Sequence, residues 1–147
     1  MNAQRASALL SQVFERVCQD QERFARTVYE LFFASAPDAK ALFKHVDWNQ
    51  QQKMLIGALV LMIKNLNNPA LFQVTMRNLG ERHVRYGAKV EHFVPFSQAI
   101  LGSMREQLGS DWNEEIEEAW SFAFGKIEQT MIEAGVKPRT PDLQALA

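Results

Sequence analysis

The sequence predicts an all-α fold of one domain, and three observations carry that prediction. Apolar side chains recur at helical intervals over almost the whole chain, caps and breakers punctuate those stretches, and no run alternates in the manner of a strand. At 147 residues, with 47% hydrophobic, 22% charged and 10% aromatic residues, the chain has the profile of an ordinary globular domain. A domain of that length buries roughly 70% of its unfolded surface without disulfides or metals. Ten Phe and six Met make the expected core bulky.

Leu10, Val13, Phe14 and Val17 lie on one face of a first amphipathic helix, and Phe24, Val28, Leu31 and Ser35 mark a second that stops near Pro37. A short element carries Ala41, Leu42 and Phe43. Asp47 or Asn49 then caps a helix whose stripe is Gln51, Leu55, Ala58 and Met62. Asn67-Asn68-Pro69 is a strong breaker, after which Phe72, Met76, Leu79 and His83 share one face of a further helix. That helix ends around Tyr86-Gly87, where glycine suits a left-handed cap. Pro95 fits the first turn of the next, with the stripe Phe96, Ile100, Ser103 and Gln107 flanked by Ala99, Met104 and Leu108 and closed by Gly109. The last helix gathers Glu114, Glu115, Glu117 and Glu118 at its start, where carboxylates suit the helix dipole, and buries Ile116, Trp120, Ala123, Ile127 and Met131. Residues 1–137 are read as the domain and 138–147 as a short tail.

A formal net charge of −1 leaves no electrostatic footprint for nucleic acid or an anionic membrane surface. The longest apolar run, 57–63, is too short to span a bilayer as a helix. The single cysteine, Cys18, has no partner for an internal disulfide, and the opening Met-Asn-Ala-Gln-Arg lacks the apolar run of a secretory signal. The expected compartment is therefore the cytoplasm. Cys18 is expected to be a small buried or half-buried thiol, and Trp48, Trp112 and Trp120 packing residues.

Two stripes are each interrupted by a nitrogen-bearing side chain, Gln51 on one helix and His83 on the next. Burying either needs a partner, so the pair points to an apolar pocket with a ligand-binding atom between the helices. The competing imidazoles are His45, in a loop after Phe43, and His92, beside the Pro95 helix start and expected to be solvated.

Taken together, Tyr29 in Val-Tyr-Glu-Leu-Phe-Phe, Pro37 eight residues on, Phe43 in Lys-Ala-Leu-Phe and His83 in Leu-Gly-Glu-Arg-His resemble, in order and spacing, the anchors of a globin. The chain is most similar to the bacterial single-domain haemoglobins and the haem domain of flavohaemoglobins. The interval from Gln51 to His83 is the one that subfamily shows between its distal glutamine and proximal histidine, and Ala119-Trp120 with Phe124-Gly125 resembles the start of its final helix. The resemblance implies a globin fold around one haem, with His83 as the proximal iron ligand and Tyr29 and Gln51 as the distal polar pair. It also implies Leu55 as the apolar wall over the iron and Phe43 as the ring packed on the porphyrin. A carbonyl one turn earlier, such as that of Leu79, is then expected to take the proton of the second His83 nitrogen. A phenol or amide donor would stabilise the negative charge a bound diatomic gas acquires. His45, Lys53 and Arg82 lie where contact with a haem propionate competes with plain surface exposure.

The resemblance implies reversible binding of dioxygen or another diatomic gas, for oxygen binding, transport or storage. Two alternatives stand beside it: nitric oxide dioxygenation sustained by a separate reductase, and a gas sensor or non-haem regulatory domain. Departures from the family pattern bear on that choice. Flavohaemoglobins link a Tyr and a Glu to the proximal histidine, and ungapped alignment puts Phe93 and Gly135 at those positions. The electron push they provide is expected to be missing, which disfavours peroxidase-like O–O cleavage. No Gly-x-Gly-x-x-Gly run is present for a dinucleotide, so electrons for any cycle are expected from a separate reductase.

Overall fold

In the computed structural model, which describes residues 1–136, the periodic stretches become six α-helices: α1 (Ala3–Val17), α2 (Gln21–Ser35), α3 (Trp48–Asn65), α4 (Pro69–Tyr86), α5 (Phe93–Leu108) and α6 (Glu114–Glu133). Short 3-10 turns precede α2, α5 and α6, and a longer one, Pro37–Phe43, lies between α2 and α3. No strand occurs among the described residues, and no helix there is long and apolar enough to cross a membrane. The tail expected at 138–147 lies outside the described residues.

Polar side chains start most of the helices by accepting the backbone N–H groups that a first turn leaves unpaired. Asn2 accepts from Arg5 N, Asp20 from Arg23 N, Asn68 from Leu71 N and Asn113 from Ile116 N. For α3 the cap is Asp47 rather than Asn49, since Asp47 Oδ1 accepts from both Asn49 N and Gln50 N. Glycines cap the ends of α4 and α5, Gly87 and Gly109. Gly87 takes φ +85° after α4, and its N–H closes on the Val84 carbonyl at 3.1 Å.

α2 packs chiefly on α5, and α1 and α4 on α6, leaving α3 to bridge α1, α2 and α4. Ser103, fully buried, donates to the Phe24 carbonyl at 2.9 Å and ties α5 to α2. On α1 and α6 every apolar position named in the sequence is buried. On α2 the inner face is Phe24, Ala25, Val28, Tyr29 and Phe32, which corrects the expected stripe: Leu31 is 40% exposed and Ser35 is exposed. The face is rotated because Phe32 and Tyr29 join an aromatic cluster with Phe33, Phe43 and Phe96. Leu31 instead lies against Gly102, where a Cβ would meet its Cδ1 at 2.9 Å. Cys18 is exposed, not buried, because α1 ends at Val17 and the chain turns off the helical stripe there.

The positive φ at Gly87 makes a direct prediction. Gly87→Ala should destabilise the protein by roughly 1–2 kcal/mol, the cost of a Cβ in the left-handed region. Urea denaturation measures it, and an unchanged midpoint would show that the cap is not strained.

Candidate functional site

Five of the helices and the Pro37–Phe43 turn enclose a cavity of about 450 Å³. α2 contributes Tyr29, α3 Gln51 and Leu55, α4 His83 and the turn Phe43, so all five site residues singled out in the sequence line the one cavity, and Leu79 of α4 lines it with them. α5 and α6 close it with Phe93, Phe96, Trp120 and Phe124.

His83 is half-buried, and its Nδ1 lies 2.8 Å from the Leu79 carbonyl oxygen, one turn back. A carbonyl only accepts, so the proton of the neutral ring sits on Nδ1, and Nε2 keeps its lone pair. Burial pushes the imidazole below its ordinary pKa and the nearby Arg82 charge adds to this, while the Leu79 bond opposes it. The ring is therefore a neutral lone-pair donor at the cavity wall. The Tyr86 ring, 53% exposed, lies at 6.0 Å from it.

Tyr29 is buried and caged by the rings of Trp48, Phe43 and Phe33 at 5.2, 5.5 and 5.9 Å. Gln51 Nε2 donates to Tyr29 Oη at 2.8 Å. Burial drives the phenol up to about 12, with the Gln51 bond pulling weakly the other way. The hydroxyl is therefore protonated at neutral pH, and because its oxygen already accepts from Gln51, its own hydrogen is left to point elsewhere. Trp48, 41% exposed, stacks on Phe43 with a 13° interplanar angle and so covers the cage from outside.

The other imidazoles divide. His45 is exposed and reaches the cavity edge, as does Arg82; Lys53 is exposed and does not line it. His92 corrects the expectation of a solvated ring: its side chain is only 12% exposed and lines the cavity, edge-on to Phe32. Its Nδ1 accepts from Lys89 N at 3.1 Å, which puts the proton on Nε2, 3.3 Å from Asp38 Oδ2. Asp38, Glu91 and His92 have the spacing of a metal-ligand trio, but a ring whose Nε2 carries the proton has no lone pair there to give a cation. The His92–Asp38 bond latches the Pro37–Phe43 turn to the 3-10 turn before α5. No helical period could have signalled His92, because it lies in the 3-10 turn before α5.

Phe93 is buried against Phe124 at 6.4 Å between ring centres, and Gly135 adopts φ +112° beside Val84. Neither offers His83 a hydrogen-bond partner.

Comparison with known proteins bears on the family and the fold. The globin family model matches residues 26–131. A flavohemoprotein of Rhodopirellula baltica is 28% identical over 134 residues, covering 90% of this chain and 33% of the relative, and one of Bordetella pertussis is 26% identical over 76% of this chain and 28% of its own length. The chain thus spans about a third of the curated relatives it matches. A solved Pseudomonas aeruginosa PAO1 protein, structurally highly homologous to a human hemoglobin, superposes with a TM-score of 0.80 at 22% identity, covering 89% of this chain and 98% of that one.

Tyr29 ionises near pH 12 in the folded protein, against about 10 when unfolded, so the folded state holds the proton more tightly. Its contribution to stability is complete below pH 10 and is lost as pH rises towards 12. The alkaline limb of the stability-versus-pH curve should be steeper in the wild type than in Tyr29→Phe. Identical limbs would mean that the phenol is not buried as described.

Proposed function

This chain belongs to the globin family, and on that premise we propose that it is a haem protein that reversibly binds dioxygen or another diatomic gas. In this reading His83 is the iron ligand, Tyr29 and Gln51 the polar groups over the gas, Leu55 the apolar wall and Phe43 the ring against the porphyrin. The observation that carries it is the gathering, in one largely apolar cavity, of the His83 imidazole with Nδ1 tied to the Leu79 carbonyl, the buried Tyr29 phenol and the Gln51 amide that donates to it.

The residues present fit haem. The cavity lies within the roughly 300–1,000 Å³ range of small-molecule and cofactor sites, and its walls are mainly hydrophobic. An imidazole such as that of His83, with its far nitrogen tied to a carbonyl, is the donor a haem iron takes from a protein. Haem supplies the iron on which a diatomic gas is held, and the chain's residues govern the rest. Leu79 fixes the His83 tautomer and the direction of its lone pair. Gln51 donates to the Tyr29 oxygen, which leaves the phenol's own hydrogen to donate to what enters the cavity. Leu55, Phe43 and Phe93 exclude water and the protons it carries. The Tyr29 hydrogen would hold a partly negative gas ligand among these apolar side chains, which favours binding and release over oxidation.

A second reading, suggested by the likeness to a putative nitric oxide dioxygenase of Rhodothermus marinus (TM-score 0.75, 21% identity), is nitric oxide dioxygenation with electrons from a separate reductase. Under the first reading, steady-state nitric oxide consumption with NADH should stay slow even when cell extract is added. Fast, extract-dependent turnover would promote the second.

Absorption spectra of the hemin-loaded protein in ferric, ferrous and carbonmonoxy forms test the common ground. His83→Gly should lose haem or keep it only with added imidazole, while His45→Ala and His92→Ala retain it. Normal haem content in His83→Gly would sink the ligand assignment. Tyr29→Phe should speed dioxygen dissociation about tenfold, the equivalent of one hydrogen bond of roughly 1.5 kcal/mol to a charged acceptor. Gln51→Leu should do less, since its effect passes through the phenol. An unchanged stopped-flow rate in Tyr29→Phe would remove that residue from the site.

A further inference from the structure

The Leu79 carbonyl, the Tyr86 ring and the Arg82 charge, the groups that act on the His83 ring, all lie on α4 itself. The imidazole is thus fixed within its own helix, and its place in the cavity is decided by where α4 docks. α4 packs more extensively on α6 than on any other helix.

That docking has a steric centre one turn before His83. A Cβ at Gly80 would lie 2.6 Å from the Ala134 Cβ, closer than real Cβ atoms come, but at 3.4 and 3.8 Å from the backbone of Met131, which is tight and ordinary contact respectively. Only hydrogen at position 80 lets the helices approach this far. The obstructing atom is also anchored. Ala134 caps α6, where the chain doubles back: Gly135 N donates to Ile132 O at 3.0 Å and Val136 N to Met131 O at 3.2 Å, with Val136 buried. This closure, with glycine in a positive φ, locks the end of a helix. A Cβ is bonded directly to the backbone and has no rotamer by which to withdraw, so relief requires moving a helix. On the following turn of α4, Val84 meets Gly135, and the contact therefore brackets His83 in sequence.

We propose that Gly80 and Ala134 are positioning residues for the iron ligand: their close contact sets how α4 seats on the locked end of α6, and through it where His83 stands in the cavity. The part concerning iron rests on the haem reading above; the packing contact does not.

The test is a double-substitution cycle read on the hemin-loaded protein and on the apoprotein. Gly80→Ala should shift the iron–imidazole stretching band of the ferrous form in resonance Raman spectra and speed hemin loss about tenfold or more, as overpacking of a well-filled contact does. Ala134→Gly removes the obstructing atom, so in the double variant the band should return and hemin loss should come within about twofold of the parent carrying Ala134→Gly alone. Gly57→Ala, on α3 with nothing within 4 Å of the added Cβ, is the control and should leave both unchanged. If Gly80→Ala does not fold, recovery of folding and band position in the double variant carries the proposal, and failure to recover overturns it. A Gly80→Ala protein with wild-type band and hemin loss overturns it as well. Should the wild type bind no hemin, the haem reading fails, yet the thermal midpoint of the apoprotein still reports the contact: a drop in Gly80→Ala that Ala134→Gly restores supports the docking role, and no drop refutes it.

Discussion

An imidazole set into an apolar wall must commit to one tautomer, and the Leu79 carbonyl makes that commitment for His83. Much of the cavity's chemistry depends on it. Without the bond, either nitrogen could carry the proton, and the half-buried ring would face the apolar wall with its tautomer unset. The bond requires unbroken helix from Leu79 to His83, with one turn between them. It therefore depends on what holds α4 together, the Asn68 cap at its start and the left-handed Gly87 at its end. Local backbone chemistry and site chemistry are the same constraint seen at two scales.

The other polar pair is solved differently, by bringing two helices together. Tyr29 comes from α2 and Gln51 from the first turn of α3, and the 2.8 Å bond between them joins elements that the Pro37–Phe43 turn and the loop after it separate in sequence. The register of α3 is set by Asp47, whose side chain fixes where the helix begins and hence that Gln51, not Gln50 or Gln52, meets the phenol. The cage of Phe33, Phe43 and Trp48 then removes water from around the hydroxyl, which strengthens the hydrogen bonds it makes and raises the cost of ionising it.

Features that rest on local rules were legible in the sequence. The α1, α4 and α6 faces follow from period, the Asn68 and Gly87 caps from residue type, and the Tyr29, Gln51 and His83 positions from stripes and spacing with the family resemblance added. Features that rest on neighbours were not. Leu31 is as apolar as Phe32, and only the aromatic cluster across from α2 decides which of them turns inward. Cys18 left its stripe because a helix ended one residue earlier than periodicity alone can fix. His92 entered the cavity through two hydrogen bonds, to Lys89 and Asp38, that no pattern of apolar residues encodes. Trp120 and Phe124 line the cavity from α6, a contribution invisible until the helices are packed. The contact between Gly80 and Ala134 belongs to the same class, since a glycine inside a helix reads from sequence as a weakness rather than as a seat for another helix.

What surrounds His83 bears on which chemistry the proposed site favours. A carboxylate sharing the Nδ1 proton would give the ring anionic character and push electron density towards a bound metal, whereas a neutral carbonyl does so far less. Ungapped alignment assigns Phe93 and Gly135 to the positions from which the family resemblance would expect that push, and these bring a hydrocarbon ring and a bare turn of backbone. The carboxylate at the end of α6, Glu133, is exposed and accepts from Gln129 on the same helix. The charge that does act on His83, that of Arg82, has the opposite sign and works against a buried positive ring rather than building negative charge on it. Under the proposed haem reading, a neutral imidazole ligand and a protonated phenol would suit the site to holding a partly charged gas and releasing it intact. Bond cleavage would ask for electron density that these neighbours do not provide.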